Sequence, residues 1–418
     1  MAAGAQILVL EPGSRLQKAA WLRQVACEWG GLVIWHLSSP EVLPVAAFAT
    51  DDCPPVVVID HIDHMFWLGS SVMDMLVVLR TISEEQIGRR RHTGAKAVMP
   101  VPLAPRKEPL SKTDARKKLG IGKDQVVLLS VGRGQKYRPC GNYDFPTTAG
   151  RILDREPLAH IYVVGATEDE TAPFVDGPIH ERLHFLGPMS SEQVGLARDA
   201  ADVYIESFPF GSNTSLLEAA LAGLAVVPAY APLAPMLVAS DDSLVDLIRS
   251  PASEEEYISR AVGFARDPAG RETLGQELRS RLLSTHVEPA WLSKLEEIQA
   301  SARDLVHKPN PIQCEAGSED AVDVGLSLFG ALSDPRLRSA ISANSERLGL
   351  LKYRSYLAKH VGRYGLAARL AFLSLRGAPA DLELWRLAAI ASLGPVAKGL
   401  RQFSCRAQSV LKAGRGAP

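Results

Sequence analysis

The chain has 418 residues, 46% of them apolar and 22% charged, and a formal net charge of −1. These values are typical of a globular protein of two or three domains. So small a net charge excludes a chain that binds nucleic acid through a large overall positive charge. The five cysteines form no CxxC pair, which argues against a disulfide framework or a zinc knuckle and indicates a cytoplasmic location. Neither a signal peptide nor an apolar run of roughly 18 residues is apparent.

Short apolar runs alternate with helix-length segments in the first hundred or so residues. The runs predicted as buried strands are AQILVL (5–10), LVIWHL (32–37), PVVVID (55–60), MLVVLR (75–80) and AKAVMPV (95–101). Such alternation predicts an α/β fold whose parallel sheet is covered by helices on both faces.

A segment rich in proline and lysine, residues 100–124, resembles an interdomain linker with a short basic helix. A second α/β set follows, with strands predicted at 125–132, 158–165, 182–187, 202–207 and 225–230 and helices at 253–266, 271–284 and 289–304. We therefore predict domains over 1–105 and 106–305, followed by a helical tail over 306–418.

The tail differs from the rest of the chain in its charge. From residue 336 to residue 418 it has fifteen Lys and Arg residues against three acidic ones, and its apolar residues recur at helical spacing. Two interpretations stay open: a solvated helical subdomain, or a surface for anionic lipid or an acidic partner. The second would give a peripheral membrane contact.

The first candidate site lies in SVGRGQKYRP, directly after a predicted strand. Gly132 and Gly134 would let the backbone approach a ligand closely, and Arg133, Lys136 and Arg138 place three cations within six residues. Such a cluster suits a diphosphate. The alternative is a solvated basic turn.

A second candidate lies in FLGPMSSEQ. Gly187 ends a predicted strand, and Ser190 or Ser191 can cap the next helix. Backbone groups near Met189 could hydrogen-bond a base edge. A plain strand–turn–helix connection is the alternative.

A third candidate is the helix start in VYIESFPFGSNTSLLEAALAG. Its small polar residues are Gly211, Ser212, Asn213, Thr214 and Ser215. A helix start offers unpaired N–H groups and a partial positive charge, so it can hold phosphate.

Glu218, one turn into that helix, has two interpretations. The S-x-x-E spacing permits a capping box with Ser215. Alternatively, Glu218 faces a cleft and accepts hydrogen bonds from the two ribose hydroxyls of a nucleotide.

The first half of the chain offers VVVIDHIDHMFWLG. His61, Asp63 and His64 follow a predicted strand, and a histidine there could act as general base or orient an acceptor hydroxyl. Each could instead be a turn or core residue. We find no third ligand at useful spacing, so we predict no metal site.

Together these motifs resemble the GT-B glycosyltransferases, especially the bacterial group 1 (family 4-like) sugar transferases. The similarity spans roughly residues 30–300, and "VGRGQKYRP" looks like the family's "VGR…K" loop. The resemblance implies two Rossmann-like doubly wound domains, the second holding a nucleotide-diphosphate sugar. It implies that Arg133 and Lys136 bind the diphosphate, and that the helix start at 213–215 faces it.

The chain departs from the family in two places. Glu218 matches the second Glu of an E-x7-E pair, but the first falls at Phe210, and "FPFGSNTS" looks more like the loop of O-linked N-acetylglucosamine transferases. The N-terminal domain is also abbreviated. These departures leave the sugar and the stereochemical outcome open.

The sequence therefore predicts a glycosyltransferase without a cofactor, in which Arg133, Lys136 and the helix start neutralise the leaving diphosphate without a metal. The acceptor would be a hydroxyl of a sugar, a lipid-linked molecule or a protein. Two alternatives stay open: a non-catalytic nucleotide-sugar-binding or scaffold protein, and a sugar-nucleotide epimerase of the same fold.

Overall fold

A computed structural model describes most of the chain. It covers residues 6–37, 41–63, 67–81, 95–137, 143–171, 179–208, 210–230 and 243–309, and within the tail residues 355, 359, 364–376, 379–380, 382 and 384–393. The chain divides into two compact units, one formed by residues 1–138 and 145–326 and the other by 139–144 and 327–418. The two units are described separately below.

The first unit contains two parallel sheets. Its strands are β1 (Val33–Leu37), β2 (Val56–Asp60), β3 (Met75–Val78), β4 (Ala95–Val98), β5 (Val126–Val131), β6 (Ala159–Val164), β7 (Leu183–Phe185), β8 (Val203–Ile205) and β9 (Ala225–Val227). The first sheet has the order β1-β2-β3-β4 and the second the order β7-β6-β5-β8-β9. Every pairing between these strands is parallel. The predicted α/β class with two parallel sheets is confirmed.

The second sheet is doubly wound. Its strand order runs outward from β5 to β7 in one direction and from β8 to β9 in the other, so the order reverses between β5 and β8. In open parallel sheets, ligands bind beyond the carboxyl ends of the strands at such a reversal. The loops after β5 and β8 are therefore where this sheet can hold a ligand.

Eleven helices have defined bounds in the described residues. They are α1 (Arg15–Trp29), α2 (Leu43–Ala47), α3 (Lys112–Leu119), α4 (Phe145–Arg155), α5 (Glu168–Thr171), α6 (Ser191–Ala200), α7 (Asn213–Leu221), α8 (Glu254–Arg266), α9 (Pro268–Thr285), α10 (Ala290–Arg303) and α11 (Tyr364–Leu375). A short 3-10 turn spans Gly134–Tyr137.

The predicted strand at 5–10 is wrong. Residues 6–10 have no regular structure, and Ile7 and Val9 are 71% and 79% exposed. A strand needs a neighbour to satisfy its N–H and C=O groups, and β1 pairs with β2 alone among the described strands. An apolar run cannot reveal whether such a neighbour exists.

The last helix of the second set, α10, belongs to the core of the first sheet. Ile298 and Ala302 of α10 are buried in one cluster with Val57 of β2 and Val77 of β3. Just beyond α10, the buried His307 hydrogen-bonds Asp74, with 2.7 Å between Nδ1 and Oδ2. The chain thus returns to the first sheet after completing the second.

A close contact between backbones sets the position of α7. Gly223, which follows α7, has φ +89°, in the left-handed region that favours glycine. A Cβ added to Gly275 of α9 would lie only 2.0 Å from the Gly223 carbonyl oxygen. The two segments therefore touch in a way that tolerates no side chain, and this contact anchors the end of α7 opposite the β8 loop.

The second unit contains residues 327–418 of the segment predicted as a helical tail over 306–418. Helix α11 packs against a second helical run at 384–393 through small and aliphatic side chains: Ala371, Leu375, Leu384, Leu387 and Ala388. Within the part of the chain that the structure describes, no helix is long and apolar enough to cross a membrane.

Candidate functional site

The loop after β5 places a lysine at the strand-order reversal. Lys136 lies in the 3-10 turn, and its side chain crosses to the β8 loop, where Nζ donates to the Gly211 carbonyl oxygen at 2.5 Å. Burial lowers the pKa of Lys136 to about 8, the carboxylate of Glu206 opposes that shift, and Arg133 and Arg80 add to it. The half-buried ammonium thus has no ion-pair contact among the described residues.

Glu206 lies across from this lysine, directly after β8, and is fully buried. Its Oε1 accepts hydrogen bonds from the backbone N–H of Ser212 at 2.6 Å and of Ser207 at 3.2 Å. Oε2 has no hydrogen-bond partner among the described residues. Burial raises the pKa of Glu206 to about 7, although these hydrogen bonds and Lys136 counteract the rise. The carboxyl group therefore titrates near neutral pH.

Glu206 is the main site residue that the sequence analysis missed. It was counted only as the end of the strand predicted at 202–207. The available signal was an acidic residue inside a run of otherwise buried residues, because buried carboxylates require hydrogen-bonding partners.

Packed aromatic side chains support the 3-10 turn that contains Lys136. The Tyr137 hydroxyl lies 3.0 Å from Ser130 Oγ on β5, and the Tyr137 ring meets Phe145 edge-on at 5.0 Å between centroids. A Cβ on Gly132 would lie 3.0 Å from Ser212 Oγ and 3.2 Å from the Tyr137 hydroxyl. Gly132 therefore lets the β5 and β8 loops touch.

Gly134 has a packing role rather than an open approach to a ligand. It is buried, and a Cβ there would lie 2.7 Å from Glu170 Oε2 of α5. The residues of this loop that remain accessible are the exposed Arg133 and the half-buried Gly132, Gln135 and Lys136. Arg138, the third predicted cation, lies outside the described residues.

Helix α7 starts at the β8 loop, three residues earlier than the capping-box interpretation required. Its N-cap is Ser212, whose side chain makes no capping hydrogen bond. Ser215 is consequently the third residue of the helix, so its capping box with Glu218 is wrong. The N–H groups of Asn213, Thr214 and Ser215 belong to the first turn, where the helix supplies no acceptor.

The first turn of α7 contains a further unsatisfied polar group. Asn213 Oδ1 is buried without a hydrogen-bond partner in the described part of the chain. Gly211 presents its carbonyl oxygen to Lys136, while Thr214 is exposed. The small residues predicted to face an anion are therefore brought together beside the lysine.

Glu218 forms an ion pair with Arg198 of α6 through Oε2. The Glu218 side chain is 42% exposed and that of Arg198 14%. Glu218 thus remains accessible, with one carboxylate oxygen held by α6. Its contact with a ribose stays a prediction.

The loop after β7 joins the same edge of the sheet. Gly187 has φ +69°, its N–H donates to the Ala166 carbonyl at 2.9 Å, and its carbonyl accepts from Gly165 at 2.8 Å. A Cβ on Gly165 would in turn lie 2.7 Å from the Gly132 carbonyl oxygen. The glycine loops after β5, β6 and β7 therefore form one continuous rim.

Met189 and Ser190 follow this rim. The half-buried Met189 side chain packs against the core of the second sheet, so only its backbone is available for a base edge. Ser190 caps α6 in a capping box with Gln193, as the sequence indicated.

The predicted catalytic residues lie in the first sheet's half of the unit. Asp63 is buried and forms an ion pair with Arg80, which follows β3. His61 is exposed, and its ring lies 5.4 Å from that of His36 between centroids. His64 lies outside the described residues. Because Asp63 is buried and paired with Arg80 while His61 is exposed, His61 is the more accessible candidate base.

Among the residues with described positions, no group of three or more His, Cys, Asp or Glu side chains could hold a metal ion. The charges around the β5–β8 reversal are cationic at Lys136 and Arg133, with Glu206 buried behind them. Arg80 is close enough to influence the same lysine. This arrangement favours an anionic ligand.

No known protein-family profile matches the chain, and no curated protein matches it in sequence. Solved structures do match. TarM, described from S. aureus, is 11% identical with a TM-score of 0.51, over 69% of this chain and 58% of TarM. Sucrose-phosphate synthase from Thermosynechococcus elongatus is 14% identical with a TM-score of 0.50, over 69% and 79%.

An O-GlcNAc transferase mutant from Thermobaculum terrenum also matches, at 20% identity and a TM-score of 0.47, over 68% of this chain and 56% of that one. The chain thus spans somewhat more than half the length of this transferase and of TarM. On the likeness to TarM and sucrose-phosphate synthase and on the sheet topology, the chain has the GT-B fold of glycosyltransferases.

Proposed function

We propose that the chain transfers a glycosyl group from a nucleotide-diphosphate sugar to an acceptor hydroxyl. The observation that carries the proposal is the half-buried Lys136 ammonium, which lies between the β5 and β8 loops and donates to Gly211 just before the first turn of α7. A half-buried cation next to unpaired helix N–H groups suits a diphosphate.

In the transfer, the bond between the anomeric carbon and the β-phosphate oxygen breaks as the acceptor oxygen bonds to that carbon. The nucleoside diphosphate leaves with the bonding electrons, and its added charge is stabilised by Lys136, Arg133 and the start of α7. The acceptor proton passes to a base, for which His61 is our candidate. These residues would supply the positive charge without a metal, so transfer should persist in excess EDTA.

The test is a ligand screen by melting temperature, with UDP, GDP and their sugars. The TarM structure that holds UDP is a reason to begin with UDP. We expect a rise with one nucleotide that is lost in Lys136→Met and reduced in Arg133→Ala. Lys118→Met, at an exposed position on α3, is the matched control and should keep the shift. No shift with any of these nucleotides would refute the donor site.

A second candidate is a nucleotide-sugar-binding protein without turnover. It is favoured by the ion pair between Asp63 and Arg80, which engages one predicted catalytic residue. Incubation with the bound nucleotide sugar distinguishes the cases. An enzyme slowly hydrolyses its donor without acceptor, a binding protein leaves it intact, and an epimerase converts UDP-N-acetylglucosamine to its epimer.

A further inference from the structure

Helix α11 of the tail has an exposed strip of side chains that is apolar at its centre. Phe372 and Leu373 are 48% and 37% exposed, and the exposed Arg369 and Arg376 lie one turn to either side. Residues three and four apart share one face of a helix, so these four side chains form a single strip. The strip is apolar in the middle and cationic at both ends.

The helical run at 384–393 presents a matching strip. Trp385, Ile390 and Leu393 are 50%, 40% and 63% exposed, Leu382 just before the run is 83% exposed, and Arg386 is exposed among them. The side chains on the opposite side of this run pack against α11. Helix α11 and the run at 384–393 therefore share a core of their own, and the exposed apolar residues do not belong to that core.

The two strips join through an aromatic pair. The rings of Phe372 and Trp385 meet edge-on, with centroids 6.4 Å apart and an interplanar angle of 84°. We call the two strips together the tail surface. Apolar patches of this kind on a folded protein mark contacts with another surface.

The charge of this part of the chain indicates which surface. Residues 347–418 contain thirteen Lys or Arg residues and two acidic ones, Asp381 and Glu383. Arg369 of α11 and Arg376, which directly follows that helix, are seven residues apart, about 10 Å along the helix axis, so the cations are spread along the strip rather than gathered at one point. Spread cations around an apolar centre match a lipid layer, whose negative charge is diffuse and whose interior accepts apolar side chains.

We propose that the tail surface docks the protein on an anionic lipid bilayer, with Phe372 and Trp385 inserted at the headgroup level. Tryptophan is enriched at membrane interfaces because its ring is amphipathic, phenylalanine adds apolar area that the acyl boundary accepts, and arginine side chains extend toward headgroups. The contact is peripheral, since no helix of the described residues could cross the membrane. It requires no nucleotide.

The experiment is flotation of the full chain with vesicles of equimolar phosphatidylcholine and phosphatidylglycerol, and with vesicles of phosphatidylcholine alone. We expect binding to the anionic vesicles, reduced by high salt, and little binding to the neutral ones. The double variant Phe372→Ser, Trp385→Ser should lower the partition coefficient at least about tenfold. Arg369→Glu with Arg376→Glu should lower it by more than about tenfold.

Matched changes elsewhere serve as controls. Leu16→Ser, at a 79% exposed position on α1, and the pair Lys117→Glu, Lys118→Glu on α3 should bind vesicles as the parent does. Trp385 also donates to the Pro379 carbonyl at 2.9 Å, so circular dichroism must accompany the serine variant. If its helicity drops, the arginine variant decides, because its side chains are exposed.

Three results would overturn the proposal. One is absence of binding to anionic vesicles, and another is equal loss in the control variants. The third is that the serine variant abolishes a different association, either a concentration-dependent dimer in sedimentation or binding to polyglutamate. This result counts against the proposal if the parent does not bind vesicles or if the serine variant binds them as the parent does. That outcome would assign the tail surface to a second copy of the chain or to an acidic protein.

Discussion

Lys136 and Glu206 lie on loops that follow neighbouring strands of the second sheet, and each stabilises the charged form of the other. Burial lowers the pKa of Lys136 to about 8 and raises that of Glu206 to about 7, and in both cases the partner's charge opposes the shift. Between these two pH values both groups are predominantly charged. The buried carboxylate of Glu206 thus helps to keep Lys136, which we assign to the diphosphate, in its protonated form.

Glu206→Gln should weaken binding of UDP in a pH-dependent way. The amide oxygen can still accept the Ser212 N–H, but without the negative charge the pKa of Lys136 falls further below about 8. A lower pKa means that the ammonium is lost at lower pH, so we expect affinity to drop roughly fivefold near pH 8 and little near pH 6. Titration calorimetry from about pH 6 to about pH 9 measures this.

The matched control is Glu255→Gln, an exposed carboxylate on α8 that pairs with Arg155. It should leave the pH dependence of UDP binding unchanged. An equal loss of affinity at all pH values in Glu206→Gln would show that the carboxyl group only shapes the loop.

Gly275→Ala should destabilise the first unit strongly. The new Cβ would lie 2.0 Å from the Gly223 carbonyl oxygen, and a backbone atom cannot move aside cheaply. We expect a loss of roughly 2–4 kcal/mol in the free energy of unfolding by urea. Gly263→Ala, in a helix with nothing within 4 Å of the new Cβ, should instead be neutral or stabilising by up to about 1 kcal/mol. Equal effects of the two changes would contradict the packing of α9 on the end of α7.

Arg182→Ala should loosen the carboxyl end of α4. The guanidinium donates at 2.5–3.0 Å to the carbonyls of Leu153 in α4, of Glu156 and Pro157 just after it and of Ala159 in β6, so it joins the end of the helix to the strand that follows. We expect a loss of about 2 kcal/mol in urea unfolding, because carbonyls near a helix end attract a cation and these hydrogen bonds to a charged donor are lost.

Arg182→Lys is the sharper comparison, since it keeps the charge but cannot reach all four carbonyls at once. It should fall between the parent and Arg182→Ala. A lysine variant as stable as the parent would show that charge alone accounts for the effect.

His160 and His184 should make the protein less stable in mild acid. Their rings share a hydrogen bond of 3.0 Å between Nδ1 and Nε2, and burial lowers the pKa of both, aided at His160 by the charge of neighbouring His184 and Arg182. A depressed pKa in the fold means that the unfolded chain binds protons more readily. Stability is therefore full above about pH 6.5 and is lost as the pH falls below it.

The measurement is melting temperature against pH for the parent and for His160→Gln with His184→Gln. The double variant should lose less stability between about pH 7 and about pH 5 than the parent does. Parallel curves would place the acid sensitivity in other groups.

The second sheet was predictable because a local sequence pattern marks its strands. β5 and β7 are apolar runs followed by glycine, and both their existence and their order along the chain follow from that pattern. The run at 5–10 has the same local character yet forms no strand, since pairing depends on a neighbour that no local pattern specifies.

The sequence predicted single residues of the candidate site, but not the interactions between them. Lys136, Gly187 and the start of α7 stand at strand ends, which a parallel sheet gathers at one edge. Glu206 was missed because no local pattern specifies its partners. Ser212 reaches it through the conformation of the loop, and Lys136, seventy residues away in the sequence, interacts with it electrostatically. Likewise, the S-x-x-E spacing at Ser215 could not reveal where α7 begins.

The return of α10 to the first sheet has a practical consequence for dissecting the protein. Val57 and Val77 of the first sheet are covered by a segment that lies more than two hundred residues later in the sequence. A fragment ending at the linker would leave that face bare and Asp74 without His307. Whoever wishes to express the amino-terminal sheet alone should therefore graft residues 290–308 onto it rather than simply truncate.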